Sequence, residues 1–315
     1  MQTQVLVIGG GPIGAVAARC AAEAGVSVVL VDRRADLSPS SCCTGLVSPR
    51  TLPTLGVSSH SILREIRAIT VHAPSGHTLD LVADRVKAVV IDRHRLEQEL
   101  HHRARVAGVE ICLGTEAVPI DHHVVELRGP DGTRSVSTSW ILGADGPTGQ
   151  VAETVGLRPP ERFIHAVQAV VEAPTQFRAD GLDVFLGSDV APGFFGWAVP
   201  AEEGQMRVGL GVPPPHHSSD YLGRLLEQRF AGCRVVSQSG GWIPAAPAPR
   251  SAAGRTLLIG DAAGQVKPLS GGGLYTGAIC ARVAARIVAA AECPASPAWH
   301  TGSSYDTAWQ SAIGR

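Results

Sequence analysis

Val5-Leu6-Val7-Ile8-Gly9-Gly10-Gly11-Pro12-Ile13-Gly14 is an apolar strand that runs straight into a GxGxxG turn. The small-residue stretch 15–24 follows and reads as a helix, and residues 27–31 read as a second strand ending in Asp32. Strand, glycine turn, helix, strand and acid in this order form the βαβ unit that binds dinucleotides. Gly9 makes the tight turn, Gly11 lets the backbone approach a pyrophosphate, and Gly14 lets the helix pack close to the strand. The helix start, with Pro12 at its first position, then offers the unpaired N–H groups that follow from Ile13 onward and a positive dipole end to phosphates. Asp32, 18 residues past Gly14, stands near the spacing of a carboxylate that binds a ribose hydroxyl.

The rest of the composition narrows the class. A chain of 315 residues is long enough for one or two domains with a large core. A net charge of −1 and a pI of about 6.9 favour no electrostatic partnership with nucleic acid. No run reaches the roughly 18 to 20 uninterrupted apolar residues of a membrane span. The apolar N-terminal run is a buried strand, not a signal peptide, since it lacks a basic region and a cleavage site. The seven cysteines are Cys20, Cys42, Cys43, Cys112, Cys233, Cys280 and Cys293. Their odd number, with no CxxC and no Cys/His metal spacing, leads us to expect a reduced cytosolic protein, mostly buried thiols and no metal centre. Adjacent residues of a helix or strand point apart, so the pairs His101-His102, His122-His123 and His216-His217 are expected on the surface rather than as chelators.

Along the chain, residues 35–60 are rich in Ser, Pro, Cys and Gly and read as a functional loop without strand or helix. Residues 66–82 read as two strands around the turn Pro74-Ser75-Gly76, and residues 93–107 as a helix with Leu96, Leu100 and Ala104 on one face. Residues 109–113 make another parallel strand, and 117–143 short strands around Pro130-Asp131-Gly132. Strand-like runs at 165–172, 196–199 and 206–212 precede a helix at 221–230. A last buried strand at 256–259 leads to a small-residue helix at 277–291. Pieces of a dinucleotide-binding half thus stand at both ends of the chain, around a β-rich insertion.

Three further segments combine with the fingerprint. Gly143-Ala144-Asp145-Gly146 follows a strand, Arg93 starts a helix, and Ile259-Gly260-Asp261-Ala262-Ala263-Gly264 continues through Pro268 to Gly271-Gly272-Gly273-Leu274. In this order they resemble the superfamily of FAD-dependent hydroxylases and reductases, over essentially the whole chain. The resemblance implies an α/β fold in two parts. One is a glutathione-reductase-like FAD-binding domain with a parallel sheet, from residues 1–65, 83–160 and 246–315. The other is an antiparallel β substrate-binding domain, from 66–82 and 161–245. It also implies that Gly260 and Asp261 meet the ribityl and pyrophosphate portion of FAD and that Asp145 and Gly146 support the site. Gly271 to Leu274 would bring a helix start to the flavin ring, where N–H groups at Gly272 and Gly273 stabilise negative charge.

Two more segments are Cys42-Cys43-Thr44-Gly45-Leu46-Val47-Ser48-Pro49-Arg50 and Pro192-Gly193-Phe194-Phe195-Gly196-Trp197-Ala198-Val199-Pro200. Together they resemble the geranylgeranyl reductase family, with its Cys-x-Gly loop near the flavin and its P-x-x-Y-x-W-x-F-P stretch along the substrate cavity. Pro192, Trp197 and Pro200 match; Phe195 replaces the usual Tyr and Val199 the usual Phe, which removes a hydroxyl and trims the pocket wall. The resemblance implies Cys43, Thr44, Gly45 and Arg93 at the cofactor, and Phe194, Phe195, Trp197 and Pro200 at the substrate. Cys43 reads either as a proton donor, substrate anchor or gate, or as a small apolar loop residue; Cys42 reads as the latter. Trp197 and Phe195 read as pocket wall or as core, Arg93 as flavin contact or as surface residue, and Arg33 and Arg34 as neighbours of the adenosine or of solvent. Lys267 reads as near the cofactor with no assigned role. Longer family members continue into a segment that encloses the lipid, so a sequence ending at Arg315 reads as a short or a truncated member.

The expected function is FAD-dependent hydrogenation of C=C bonds in a geranylgeranyl or other isoprenoid chain. Reduced flavin N5 would give hydride to one carbon, and Cys43 or water would give a proton to the other. The external reductant is NAD(P)H or a ferredoxin. Expected partners are that donor and an isoprenoid or polyprenyl lipid, with no nucleic acid, and the expected location is cytoplasmic with peripheral membrane contact. Two other readings share the same motifs: an FAD-dependent monooxygenase or halogenase on an aromatic or polyketide substrate, and a non-catalytic flavin- or lipid-binding protein.

Overall fold

The structure, a computed structural model, describes residues 2–37, 43–120, 123–174, 177–293 and 303–314; Cys42 and His122 lie outside them. The chain runs β1 (Gln2–Ile8), α1 (Pro12–Glu23), β2 (Val28–Asp32), β3 (Leu46–Val47), α2 (Thr51–Leu55), β4 (Ile62–Ile66), β5 (Ala68–His72), β6 (Thr78–Val82), β7 (Ala88–Ile91), α3 (Arg93–Val106) and β8 (Glu110–Leu113). Then follow β9 (Glu116–Pro119), β10 (Val124–Gly129), β11 (Gly132–Gly143), α4 (Val151–Thr154), β12 (Phe163–Glu172), β13 (Gly181–Phe185), β14 (Gly196–Pro200) and β15 (Gln205–Val212). The rest is α5 (Ser218–Arg229), β16 (Val235–Pro244), β17 (Ala252–Ala253), β18 (Thr256–Leu258), a 3-10 turn at Gly260–Ala263, α6 (Leu274–Glu292) and α7 (Ser303–Ile313).

The main sheet has the order β17-β18-β11-β1-β2-β8, with β1, β2, β8, β11 and β18 parallel. Both its faces are covered, which is why β1 and β2 are nearly continuous apolar runs rather than alternating ones. Val5, Val7 and Leu30 pack against α1, α3 and α6 on one face; Leu6, Ile8, Val29 and Val31 pack with Val125, Leu127 and Val136 on the other. Alanines at 15, 18, 21, 278, 281 and 285 let α1 and α6 approach closely, so this core needs few aromatics. The strand β11 serves two purposes. Its first half pairs antiparallel with β10, and its second half runs parallel to β1 and delivers Ala144 and Asp145 to the fingerprint.

The second sheet has seven strands in the order β16-β12-β15-β14-β13-β5-β6. It is antiparallel except for one pair, β5 with β13, which runs parallel. The sheet is thus antiparallel as expected but for that pair, whose strands come from distant segments, so no hairpin turn dictates their direction. One face is covered by α5, and the other faces the nucleotide half through Ala166, Leu182, Trp197 and Val199. A small sheet, β3-β7-β4, joins the two halves.

Some expectations need correction. Residues 35–60 are not simply loop, since they hold β3 and α2; Arg19 caps the end of α2 by donating to the carbonyls of Leu55 at 2.9 Å and Gly56 at 3.0 Å. Among the described cysteines only Cys280 is fully buried, so the thiols are less hidden than expected. The strands β13 and β16 escape a reading of periodicity; β16 is an edge strand whose Ser-Gln-Ser-Gly-Gly centre carries no alternating pattern. The helix α6 is long and apolar enough by length and composition to cross a membrane. Arg282 and Arg286 interrupt it, however, and its Ala and Cys280 face is buried against α1 and α7, as in a core helix.

Candidate active site

A single cavity of about 890 Å³ is lined by both sheets. Of the site residues expected from sequence, all but Pro200 line it, from Gly9 to Leu274. Pro200 is buried at the end of β14 opposite Met206. The strand alternates, so Trp197 and Val199 face the cavity while Ala198 and Pro200 do not.

The nucleotide end is built by the fingerprint. Gly9 adopts φ +106°, and a Cβ there would collide with the Ala144 backbone, as one at Gly14 would with the Gly9 carbonyl. A Cβ on Gly11 would meet nothing within 4 Å, so its backbone faces open cavity. The first turn of α1, from Pro12, has no side-chain cap, which leaves its N–H groups for an anion. Gly10 is pinned on both sides: its N–H donates to Asp32 Oδ2 at 2.7 Å, and its carbonyl accepts from His101 Nε2 at 2.6 Å. His101 is therefore a buried clamp, 1% exposed, not the surface residue expected of its pair. Burial lowers its pKa, which keeps the ring neutral with Nε2 as donor.

A row of alternating charge runs along the cavity wall. Burial alone would raise the Asp32 pKa, but Arg34 and the Gly10 N–H outweigh it and hold the carboxylate below its ordinary value. Arg34 bonds Asp32 and, at 3.1 Å, Glu97; Glu97, only 3% exposed, bonds Arg93 at 2.8 Å. Burial works against the Arg93 charge, yet Cys43 and Glu97 beside it raise its pKa. Arg93 thus belongs to the site rather than to the surface. Cys43 Sγ also accepts from the Gly45 N–H at 3.4 Å. Arg33, exposed, lines the same end.

Two carboxyls flank the middle of the cavity. Asp145 accepts from the Val151 N–H at 2.9 Å and turns the chain into α4; burial raises its pKa. Burial also raises Asp261, against the pull of Arg93. A Cβ on Gly273 would lie 2.8 Å from Asp261 Oδ1, so the glycine run makes room for this carboxyl. Gly271 and Gly272 close a tight turn with Lys267, and α6 starts at Leu274 with no side-chain cap. The turn is braced from behind. The Gly260 N–H donates to Gln265 Oε1 at 2.8 Å, Gln265 Nε2 donates to the Tyr305 hydroxyl at 3.0 Å, and that hydroxyl donates to the Leu258 carbonyl at 3.0 Å.

The far wall is apolar. Phe194 and Phe195 stack with ring centres 4.3 Å apart, and Phe195 meets Trp197 edge-on at 5.9 Å. Trp197 is both core and wall: it is 7% exposed, lines the cavity, and donates from Nε1 to Gln168 Oε1 at 3.3 Å. Leu182, Val184 and Ile243 extend the surface.

Sequence reasoning missed Glu97, His101, Gln265 and Tyr305. Glu97 and His101 carried a signal, since they sit at helical spacing beside the apolar stripe Leu96, Leu100 and Ala104. Tyr305 carried none, its acceptor lying 47 residues away.

The open backbone at Gly11, two uncapped helix starts facing one cavity, and the carboxyls of Asp32 and Asp261 along its wall suit an elongated anionic dinucleotide. The group that fits is FAD, and the class so defined is an α/β flavin-dependent oxidoreductase. Residues 2–220 match the family described as FAD binding domain. Digeranylgeranylglycerophospholipid reductase 2 of Methanothermobacter thermautotrophicus is 31% identical over 100% of this chain and 85% of its own length. Its namesake from Methanopyrus kandleri is 32% identical over 92% and 78%. A crystal structure of a geranylgeranyl bacteriochlorophyll reductase-like protein from Thermoplasma acidophilum superposes with a TM-score of 0.91 at 22% identity, covering 98% of this chain and 83% of that one. The p-nitrophenol 4-monooxygenase of Pseudomonas putida shares the fold more loosely, with a TM-score of 0.74 at 21% identity over 92% and 80%. The chain belongs to the geranylgeranyl reductase family of FAD-dependent oxidoreductases.

Proposed function

We propose that this oxidoreductase hydrogenates C=C bonds in the geranylgeranyl or other isoprenoid chains of a lipid. The observation that carries the reading is the division of one cavity: a dinucleotide cradle at one end, the Phe194, Phe195 and Trp197 wall at the other, and Cys43 with Arg93 between them. The names of the two reductase relatives support it. When bound, FAD supplies a two-electron redox centre that is refilled by an external donor.

The chain's own residues hold and orient. The α1 start and the Gly11 backbone take the phosphates, Asp32 faces the ribose, and Asp261 accepts from ribityl hydroxyls. An isolated alkene offers no charged handle, so affinity and alignment come from dry apolar contact with the aromatic wall. The second alkene carbon takes its proton from Cys43 or from water. Phe195 gives that wall no hydroxyl, and Cys43 lines the same cavity. The electron donor is NAD(P)H or a ferredoxin, and steady-state reduction of the flavin by each separates them. The working location we propose is cytoplasmic, at a membrane surface. Leu269, 87% exposed and set between the cavity residues Lys267 and Ser270, supports peripheral contact.

The test is anaerobic. The bound flavin is reduced and mixed with a geranylgeranyl lipid, and its oxidised absorbance band is followed. Return of the band without oxygen, with a product heavier by two hydrogen atoms, is expected. A flavin that stays reduced until air enters would transfer the protein to the oxygen-using flavoenzymes.

A further inference from the structure

The glycine of the Cys43-Thr44-Gly45 turn has an explanation that lies far away in sequence. Gly45 adopts φ +71°, and a Cβ there would sit 2.5 Å from the Ile91 carbonyl oxygen and 2.6 Å from Arg207 Nη1. Arg207 belongs to β15 of the seven-stranded sheet, opposite the cavity residue Val199. Its Nη1 donates to the Thr44 carbonyl at 2.7 Å and to the Ile91 carbonyl at 3.3 Å. It forms no ion pair among the described residues. Arg93 interacts with the Cys43 side chain, and the Gly45 N–H donates to Cys43 Sγ at 3.4 Å, but these contacts leave the Thr44 carbonyl to Arg207. The turn leads into β3, a strand of two residues, and the Gly45 carbonyl accepts from the Ile91 N–H at 2.9 Å. Two-residue pairing is marginal alone. A charged donor shared by two carbonyls at the end of this ladder supplies what the short strand lacks.

We infer that Arg207 is a positioning residue: it locks the Cys43 turn to the substrate-facing sheet, so that the thiol and the aromatic wall keep one relative placement. Arg207 does not line the cavity, so it acts through the turn and not on FAD or substrate directly. Its consequence for turnover rests on the reading given above, whereas the placement of Cys43 does not.

The experiment is peptide-resolved alkylation with iodoacetamide of the full chain, with and without FAD, comparing Cys43 with the fully buried Cys280. Arg207→Met is expected to raise the Cys43 rate roughly tenfold while leaving Cys280 unchanged, as a local opening does. Arg207→Lys should fall between, since an ammonium keeps charged donors, but its shorter stem does not bring them to the point where Nη1 serves both carbonyls. Gly45→Ala, which displaces the guanidinium from the other side, should raise Cys43 labelling as well. An unchanged Cys43 rate in both Arg207 variants overturns the proposal, and so does a parallel rise at Cys280, which would mean general loosening. With a geranylgeranyl acceptor, kcat should fall more than KM rises. If the unaltered protein turns over no such acceptor, the alkene reading fails while the alkylation result still decides the role of Arg207.

Discussion

Gly11 and Gly14 stand three residues apart and do opposite things. A side chain at 14 would invade the Gly9 carbonyl, whereas one at 11 would enter open cavity. Gly14→Val is therefore expected to cost about 3 kcal/mol or more of fold stability by overpacking. Gly11→Val should change apo stability by no more than about 0.5 kcal/mol. Its FAD affinity should nevertheless fall at least about tenfold. Urea unfolding of the apo proteins, beside a flavin titration, checks both. Asp261 shows the same tension between binding and stability. Its pKa is raised by burial, so its contribution to folding is full below the unfolded carboxyl value of about 3.9 and is lost as pH rises through the folded value. Asp261→Asn should accordingly melt higher than the parent at pH 8 without FAD, and the advantage should vanish near pH 3. Flavin binding should weaken in the same variant. An apo protein that melts lower at pH 8 would contradict this.

At the scale of elements, the fingerprint turn is less self-sufficient than its motif suggests. Gly10 is gripped by Asp32 from β2 and by His101 from α3. Burial depresses the His101 pKa, so the unfolded chain binds more protons there and folding stability falls as pH drops below about 6.5. The difference in unfolding free energy between the parent and His101→Gln should thus shift in favour of the variant between pH 8 and pH 5. A difference that stays flat with pH would show that His101 does not titrate in this window. The same helix places Glu97 between Arg34 and Arg93, which joins the Asp32 end of the site to the Cys43 turn through one side chain.

For the whole molecule, α7 matters because it reaches back to the cavity. The Tyr305 hydroxyl joins Gln265 to the Leu258 carbonyl behind the 260–265 turn, and Asp306 accepts from the Ser251 N–H at 3.0 Å. Tyr305→Phe leaves two buried partners unsatisfied and should cost roughly 1–3 kcal/mol in urea unfolding. FAD should also dissociate faster, as the turn bearing Asp261 loosens. Equal stability and equal release would mean that the brace is idle. The arrangement also ties the second sheet to the first half at one point of chemistry, through Arg207 and the Cys43 turn.

The sequence alone determined whatever depends on neighbours in the chain. The GxGxxG turn, the Gly260-Asp261 turn and the Gly271–Gly273 run are local devices, since positive φ and helix starts are dictated within a few residues. The continuous apolar runs of β1 and β2 read as buried strands for the same local reason. What only the tertiary structure decided were partnerships across distance: His101 on Gly10, Arg207 on Thr44 163 residues away, Tyr305 on Leu258, and the parallel pairing of β5 with β13. Strand alternation likewise withdrew Pro200 from the cavity while keeping Trp197 in it, a choice that rests on which face of the sheet is covered. A hydrogen bond between distant residues leaves no periodic trace in the chain, because its geometry exists only once both sheets have packed.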